Sequence, residues 1–122
     1  MKWTWLEFKD LTTIQLYALL SLRMRVFMLE QQSLYLDLDD ADQQAFHLLG
    51  TNDDGELIAY ARLFSPGKTC EQAVVGRIVL EKSARGQGLG KTMIEKSMTY
   101  IDEHWPDAPI LVSAQYHLVK FY

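Results

Sequence analysis

The sequence predicts an α/β fold in which a mixed, mostly antiparallel sheet is flanked by helices. Short apolar or alternating segments, typical of strands, alternate with longer segments whose apolar residues recur every three or four positions. An Asn52–Gly55 turn separates two of the strands and predicts an antiparallel hairpin. The unit Val74–Val112 reads strand, helix, strand, and such units form right-handed parallel crossovers.

Composition indicates one soluble domain over residues 1–122, long enough to bury a core. Apolar residues make up 48% and charged residues 23%, which is ordinary for a globular protein. The single cysteine, Cys70, cannot form an internal disulfide, and the N-terminus has no continuous apolar leader segment. We therefore expect a cytoplasmic protein that contacts no membrane. The net charge of −4 argues against a nucleic-acid partner.

The first third of the chain predicts a strand followed by a helix. Residues Trp3–Phe8 alternate loosely between apolar and polar side chains, as strands do. Thr12 or Thr13 can cap a helix whose apolar residues recur at steps of three and four. We expect most of this stripe in the core: Ile14, Tyr17, Leu20, Met24 and Phe27. Arg23 lies beside the stripe and should meet a carboxylate, for which Glu30 is one candidate.

An acidic stretch follows. Between Glu30 and Glu56 there are eight acidic residues and no lysine or arginine. The spacing of its aspartates fails the calcium-loop pattern, because counting from Asp37 the sixth residue is Asp42 rather than glycine and the twelfth is Leu48 rather than glutamate. We expect a solvated loop without a metal, and its charge would suit a cationic acceptor.

The remaining elements are predicted from apolar runs and turn residues. Strands are predicted at Phe46–Thr51, Glu56–Phe64, Ala73–Leu80 and Ile110–Ala114. A helix from Leu89 to Trp105 is stopped by Pro106, and Gln115–Tyr122 should begin a further helix. His47 could carry a proton, but a lone histidine at the start of a strand is more often structural.

A glycine-rich turn, Arg85–Lys91, connects a strand to a helix and suits a bound phosphate. Its three glycines leave backbone N–H groups uncovered, and the helix start adds further donors. The stretch Arg77–Lys91 also carries four basic residues and one acid. Glycines at 86, 88 and 90 fit neither the P-loop nor the dinucleotide spacing. A plain helix-entry turn remains the alternative.

Arg85, Gly88 and Gly90 do fit the pattern Arg/Gln-x-x-Gly-x-Gly, and this stretch resembles the acyl-CoA signature of the GNAT superfamily of N-acetyltransferases. Further segments resemble the ElaA-type members of that superfamily: Leu22–Gln31, Ala59–Arg62, Val75–Arg77 and Phe121–Tyr122. The resemblance runs over nearly the whole chain and implies the GNAT fold, with acetyl-CoA as co-substrate and a small-molecule or peptide amine as acceptor.

The resemblance also implies a donor site. The glycine turn would hold the pyrophosphate of CoA, and one strand edge would pair with the pantetheine arm. The implied acyl-CoA residues are Ile78, Val79, Leu80, Arg85, Gly86, Gln87, Gly88, Leu89, Gly90, Lys91 and Gln115.

For catalysis the resemblance implies that Tyr122 protonates the leaving thiolate. The family's closing helix carries Asn-x-x-Ala-x-x-x-Tyr, and Gln115, Leu118 and Tyr122 stand at those positions, with two departures from the pattern. The base is not determined by the resemblance: Glu30 ranks first, and Glu81 and His47 are the alternatives.

The family's chains usually continue past the tyrosine with further strands. Relative to them this domain is C-terminally shortened, so we expect an uncovered strand edge at Ile110–Ala114 that a second copy could cover as a homodimer. A non-catalytic CoA-binding or oligomeric module is therefore the alternative function. Kinship to acyl-homoserine lactone synthases, suggested by Arg23–Phe27, ranks last.

Overall fold

The structure is a computed structural model that describes residues 1–30, 36–113 and 118–121, with only the backbone for Leu29 and for 118–121. The described strands are β1 (Lys2–Glu7), β2 (Phe46–Thr51), β3 (Leu57–Phe64), β4 (Ala73–Leu80), β5 (Ile110–Ser113) and β6 (Leu118–Phe121). The helices are α1 (Thr13–Met24), which continues as a π-helical segment Arg25–Glu30, and α2 (Leu89–His104). Among the described helices, none is long and apolar enough to cross a lipid bilayer.

The strands lie in one sheet in chain order, β1 to β6. All described neighbours are antiparallel except β4 and β5, which run parallel because α2 carries the chain back between them. This confirms the predicted fold class, a mostly antiparallel mixed sheet with one parallel strand–helix–strand unit.

Each face of the sheet buries its own apolar cluster, because successive strand residues point to opposite faces. In β2, Leu48 packs on the α2 side and Leu49 on the α1 side. In β3, Ala61 and Tyr60 divide in the same way. The buried residues of α2 therefore belong to one core and those of α1 to the other.

The predicted core face of α1 was wrong at Ile14, Tyr17 and Met24, which are exposed, whereas Leu20 is half-buried against the α1-side cluster. Ile14 and Tyr17 are 81% and 79% exposed, while Leu19, Leu22 and Val26 are buried. The helix is apolar around most of its circumference, so two stripes of helical period coexist in its sequence. Periodicity alone does not determine which of them the sheet covers. Phe27, which closes the predicted stripe, is buried as expected.

The predicted C-terminal helix was also wrong over residues 118–121. Their backbone forms β6, which pairs antiparallel with β5 from Ile110↔Phe121 to Ser113↔Leu118. Valine and aromatic residues in this segment favour the extended conformation. β6 thus covers the edge of β5 within the chain. The expected homodimer was based on an uncovered edge at β5, and that basis is removed. Gln115 and Tyr122 lie outside the described residues.

We predict that Thr12→Ala lowers the free energy of unfolding by about 1 kcal/mol. Thr12 caps α1: its Oγ1 accepts from Gln15 N at 3.0 Å, and Gln15 Oε1 accepts from Thr12 N at 2.9 Å. Thr13→Ala is the matched control, because Thr13 is exposed in the first turn and makes no cap. Urea unfolding of the three proteins measures the difference, and equal losses in both variants would contradict the capping role.

Candidate functional site

The C-terminal half of β4 contains a bulge. Tyr60 of β3 pairs with Val79 and Arg62 pairs with Gly76, so Ala61 alone faces two residues of β4. The extra residue, Arg77, has a left-handed φ of 49°. A bulge bends its strand and increases the local twist.

The parallel pairing between β4 and β5 ends where the bulge begins. It runs from Ala73↔Ile110 to Val75↔Val112, and within the described residues no strand pairs with the outer side of Ile78–Leu80. The two strands are still close at Gly76, where an added Cβ would lie 3.3 Å from the carbonyl oxygen of Ser113. Among the described residues, the outer edge of Ile78–Leu80 therefore has no strand partner and could take an extended ligand.

The glycine turn lies directly beyond this open edge. Gly86 and Gly88 have φ values of 82° and 76°, a conformation that favours glycine, and an added Cβ on either would meet nothing within 4 Å. Gly88 is the N-cap of α2 and supplies no capping side chain. The first-turn N–H groups of α2 and the positive end of its dipole face this turn, as an anion site requires.

Arg85 and Glu30, which the sequence placed in separate roles, form an ion pair. Arg85 Nη1 lies 2.7 Å from Glu30 Oε1. The same guanidinium donates through Nε and Nη2 to the carbonyl oxygen of Leu80, at 3.2 and 3.0 Å. Arg85 therefore ties the end of β4 and the glycine turn to the end of the π-helical segment.

The acidic stretch is solvated only in part: Leu36, Leu38 and Asp40 are exposed as expected. Three of its aspartates, however, join three arginines in a closed ring of alternating charge, hereafter the charge ring. Its ion pairs, in order, are Arg77–Asp37 at 3.1 Å, Asp37–Arg23 at 2.9 Å, Arg23–Asp42 at 2.7 Å, Asp42–Arg62 at 2.9 Å, Arg62–Asp39 at 2.8 Å and Asp39–Arg77 at 3.4 Å. The suggested partner of Arg23, Glu30, was wrong.

Because the charge ring is largely buried, its ion pairs matter for the stability of the fold. The Arg23 side chain is 0% exposed, and an arginine in that position requires ionised partners. Burial by itself raises the pKa of Asp42 and Asp39, but the adjacent guanidinium groups outweigh it, lowering the pKa of Asp42 and taking that of Asp39 to about 2. Their contribution to stability is complete above the unfolded value of about 4 and is lost as the pH falls through the folded value.

His47 has a structural position, as expected for a lone histidine. It is fully buried, with Nε2 2.9 Å from the carbonyl oxygen of Asp42 and Nδ1 2.6 Å from Tyr60 Oη. A carbonyl only accepts, so Nε2 carries the hydrogen and Nδ1 accepts from the tyrosine hydroxyl. Burial lowers the pKa of His47 and raises that of Tyr60. A proton carrier for an external amine needs a contact with the acceptor, which this burial prevents.

Glu81 has a local structural role, and a cavity of about 610 Å³ lies away from the strand edge Ile78–Leu80. Glu81 accepts hydrogen bonds from the backbone N–H and the hydroxyl of Ser83, and these lower its pKa. The cavity, lined by residues such as Trp105 and Ile110, opens at the opposite end of α2 from the glycine turn. In the parts of the chain that the structure describes, no group of three or more metal-ligating side chains is assembled.

A model of the acetyltransferase (GNAT) domain matches residues 16–122. The chain belongs to this family. ElaA of Escherichia coli is 39% identical over the full chain, which covers 80% of the E. coli protein. Its crystal structure superposes with a TM-score of 0.85 at 38% identity, covering 95% of this chain and 79% of that one.

Two further structures extend the comparison. An acyl-CoA N-acyltransferase from Pseudomonas aeruginosa is 42% identical with a TM-score of 0.86, over 95% of this chain and 80% of that one. A predicted acetyltransferase from Clostridium acetobutylicum, solved with acetyl-CoA, has a TM-score of 0.66 at 17% identity over 94% and 81% of the two chains, which shows the shared fold alone. This GNAT chain spans about four fifths of the length of ElaA and of the Pseudomonas protein.

We predict that His47 makes the protein lose stability as the pH falls from 7 to 5. A pKa lowered in the folded state gives stability that is complete above the unfolded value of about 6.5 and is lost as the pH falls through the folded value. The contribution has a slope of at most about 1.4 kcal/mol per pH unit.

His47→Gln removes this titration, so its unfolding free energy should depend less on pH between 7 and 5. Urea unfolding at several pH values measures both slopes. Between pH 9 and 8 the two proteins should have matching slopes, since His47 is neutral there in both states. Parallel slopes at low pH as well would contradict the assignment.

Proposed function

We propose that the protein is an acyl-CoA-dependent N-acyltransferase that moves an acetyl group from acetyl-CoA to an amine. The observation that supports this best is the edge of Ile78–Leu80, which has no partner among the described strands and leads into the glycine turn at the start of α2. An extended arm with amide groups and a pyrophosphate at its end has the shape and chemistry that these two features accept together.

In the proposed complex the pantetheine amides pair with the edge of β4 as an added strand. The amides around Gly86, Gly88 and Gly90 hold the pyrophosphate, with Gln87 and Leu89 contributing backbone N–H groups and Lys91 a positive charge. Arg85 adds charge beside this turn and keeps it against Leu80. Gln115 is proposed as a further CoA contact from the family's motif.

The reaction needs a neutral amine that attacks the thioester carbonyl carbon. A C–N bond forms, the C–S bond breaks, and the amine gives its proton to a base. We propose Glu30 as that base, directly or through a water molecule, and Tyr122 as the acid that protonates the leaving thiolate. A backbone N–H near Val79–Leu80 would donate to the developing oxyanion, an interaction worth on the order of 3 kcal/mol.

The setting of this reaction follows from the sequence. We propose a cytoplasmic enzyme acting on a small-molecule or peptide amine, without nucleic acid or membrane as partner. Each of these is an inference from composition, charge and family. The homodimer expected from the sequence is not part of this proposal, because β6 covers the strand edge that suggested it.

A non-catalytic CoA-binding module is the second candidate, and one observation favours it. Glu30 and Arg85 are paired with each other at 2.7 Å, so the proposed base already has a cationic partner. A protein that only binds CoA would need the glycine turn and the open edge and could leave this pair intact.

We predict thiol release when the protein is mixed with acetyl-CoA and a panel of amines. Tyr122→Phe should lower kcat by about 100-fold, the size of a modest general-acid contribution, and leave the Kd for acetyl-CoA unchanged. Tyr17→Phe is the matched control, because Tyr17 is exposed on α1. Binding of acetyl-CoA without release for any amine would favour the non-catalytic module.

We also predict that Gly88→Ala weakens acetyl-CoA binding while Gly55→Ala does not. Both glycines have a positive φ, 76° and 79°, and in both the added Cβ would meet nothing within 4 Å. Each substitution should therefore cost a similar free energy of unfolding, about 1 kcal/mol. Calorimetric titration separates them, because Gly88 is in the proposed phosphate turn and Gly55 in the β2–β3 turn. Equal affinities in the two variants would count against the turn as the donor site.

A further inference from the structure

The residue at the β4 bulge pays a conformational cost. Arg77 is a long side chain at a φ of 49°, a region that residues other than glycine, asparagine and aspartate rarely occupy. It lies two residues after Val75, where the described pairing of β4 with β5 ends. Something must hold residue 77 in this conformation, because an extended residue there would let β4 continue as a regular strand.

The side chain of Arg77 is held on the α1 side of the sheet. Its Nη2 donates to the carbonyl oxygen of Asp37 at 3.2 Å and lies 3.4 Å from Asp39 Oδ2. Its Nε is 3.1 Å from Asp37 Oδ1, a charge contact in which the N–H is not aimed at the oxygen. The guanidinium also lies 6.0 Å from the centre of the Phe27 ring.

These anchors are themselves fixed. The Asp37 carboxylate is 4% exposed and is held by Arg23 of α1, while Asp39 is held by Arg62 of β3 through two oxygens, at 2.9 and 2.8 Å. Because the charge ring closes on itself, Arg77 is tied to α1 and β3 through partners that cannot reorient freely.

We propose that Arg77 is a positioning residue for acyl-CoA: anchored by Asp37 and Asp39, it keeps the bulge in the left-handed conformation and so directs the edge Ile78–Leu80 toward the pantetheine arm. The inference rests on the proposed function for its ligand. The bulge conformation itself is a property of the free protein.

The test compares two ligands with three variants. Acetyl-CoA uses the strand edge and the glycine turn, whereas 3′-phosphoadenosine 5′-diphosphate has the same nucleotide and pyrophosphate but no pantetheine. Arg77→Met keeps a long stem without charge and should weaken acetyl-CoA about tenfold and the nucleotide less than about twofold. Lys68→Met, at an exposed lysine in the loop after β3, should change neither.

Arg77→Gly separates conformation from charge. Glycine accepts a positive φ without strain, so this variant should bind acetyl-CoA more tightly than Arg77→Met although it has lost the whole side chain. A side chain that merely stabilised the fold would give the opposite order. Wild-type affinity in Arg77→Met, or weaker binding in Arg77→Gly than in Arg77→Met, would overturn the proposal.

A ligand-free measurement keeps the inference separate from the proposed function. The three-bond HN–Hα coupling of residue 77 reports φ, and in Arg77→Met it should shift toward the value of extended backbone. If the wild-type protein binds neither ligand, the proposed function fails and this coupling alone decides: an unchanged coupling in Arg77→Met rejects the anchoring role. Should Arg77→Met fail to fold, Asp39→Asn removes one anchor and should give the same pattern.

Discussion

The charge ring is the constraint on which the rest of this structure depends. Arg23 belongs to α1, Arg62 to β3 and Arg77 to β4, and each places a guanidinium where water is largely excluded. Such groups are tolerated only when paired, and removing one partner of a buried pair typically costs about 3–5 kcal/mol. The aspartates that pair with them come from one short segment, so that segment cannot leave the surface of the sheet without unpairing the buried Arg23 and Arg62 and the half-buried Arg77.

The charge ring and the proposed donor site lie on different sides of one strand. β4 pairs with β3 along its length, and its bulge residue is anchored in the ring. Its other side pairs with β5 as far as Val75, and beyond that point no strand among the described residues pairs with it. The arrangement gives a fixed backbone with one free edge, which is what an extended ligand needs if binding is not to include the cost of ordering the strand.

Local signals predicted most of the elements and the glycine turn. The capped start of α1, the Asn52–Gly55 hairpin turn and the glycines at 86 and 88 each act within a few residues of their own position. The buried face of α1 could not be predicted in this way, because both of its stripes have helical period and only the sheet decides between them. Arg85 and Glu30 are 55 positions apart, so their pairing left no local pattern.

The charge ring did leave a signal in the sequence. Arg62 and Arg77 interrupt apolar strands, and Arg23 interrupts an apolar helix, so each had to be either exposed or paired inside. The aspartates stand in a stretch without lysine or arginine, which leaves them no local partner. The three arginines have no acidic residue beside them in the sequence, and the aspartates have no basic one. Pairing the two groups with each other would have predicted a buried network of ion pairs. It would not have shown that the network closes at the bulge, because a left-handed φ at an arginine depends on contacts from the whole fold.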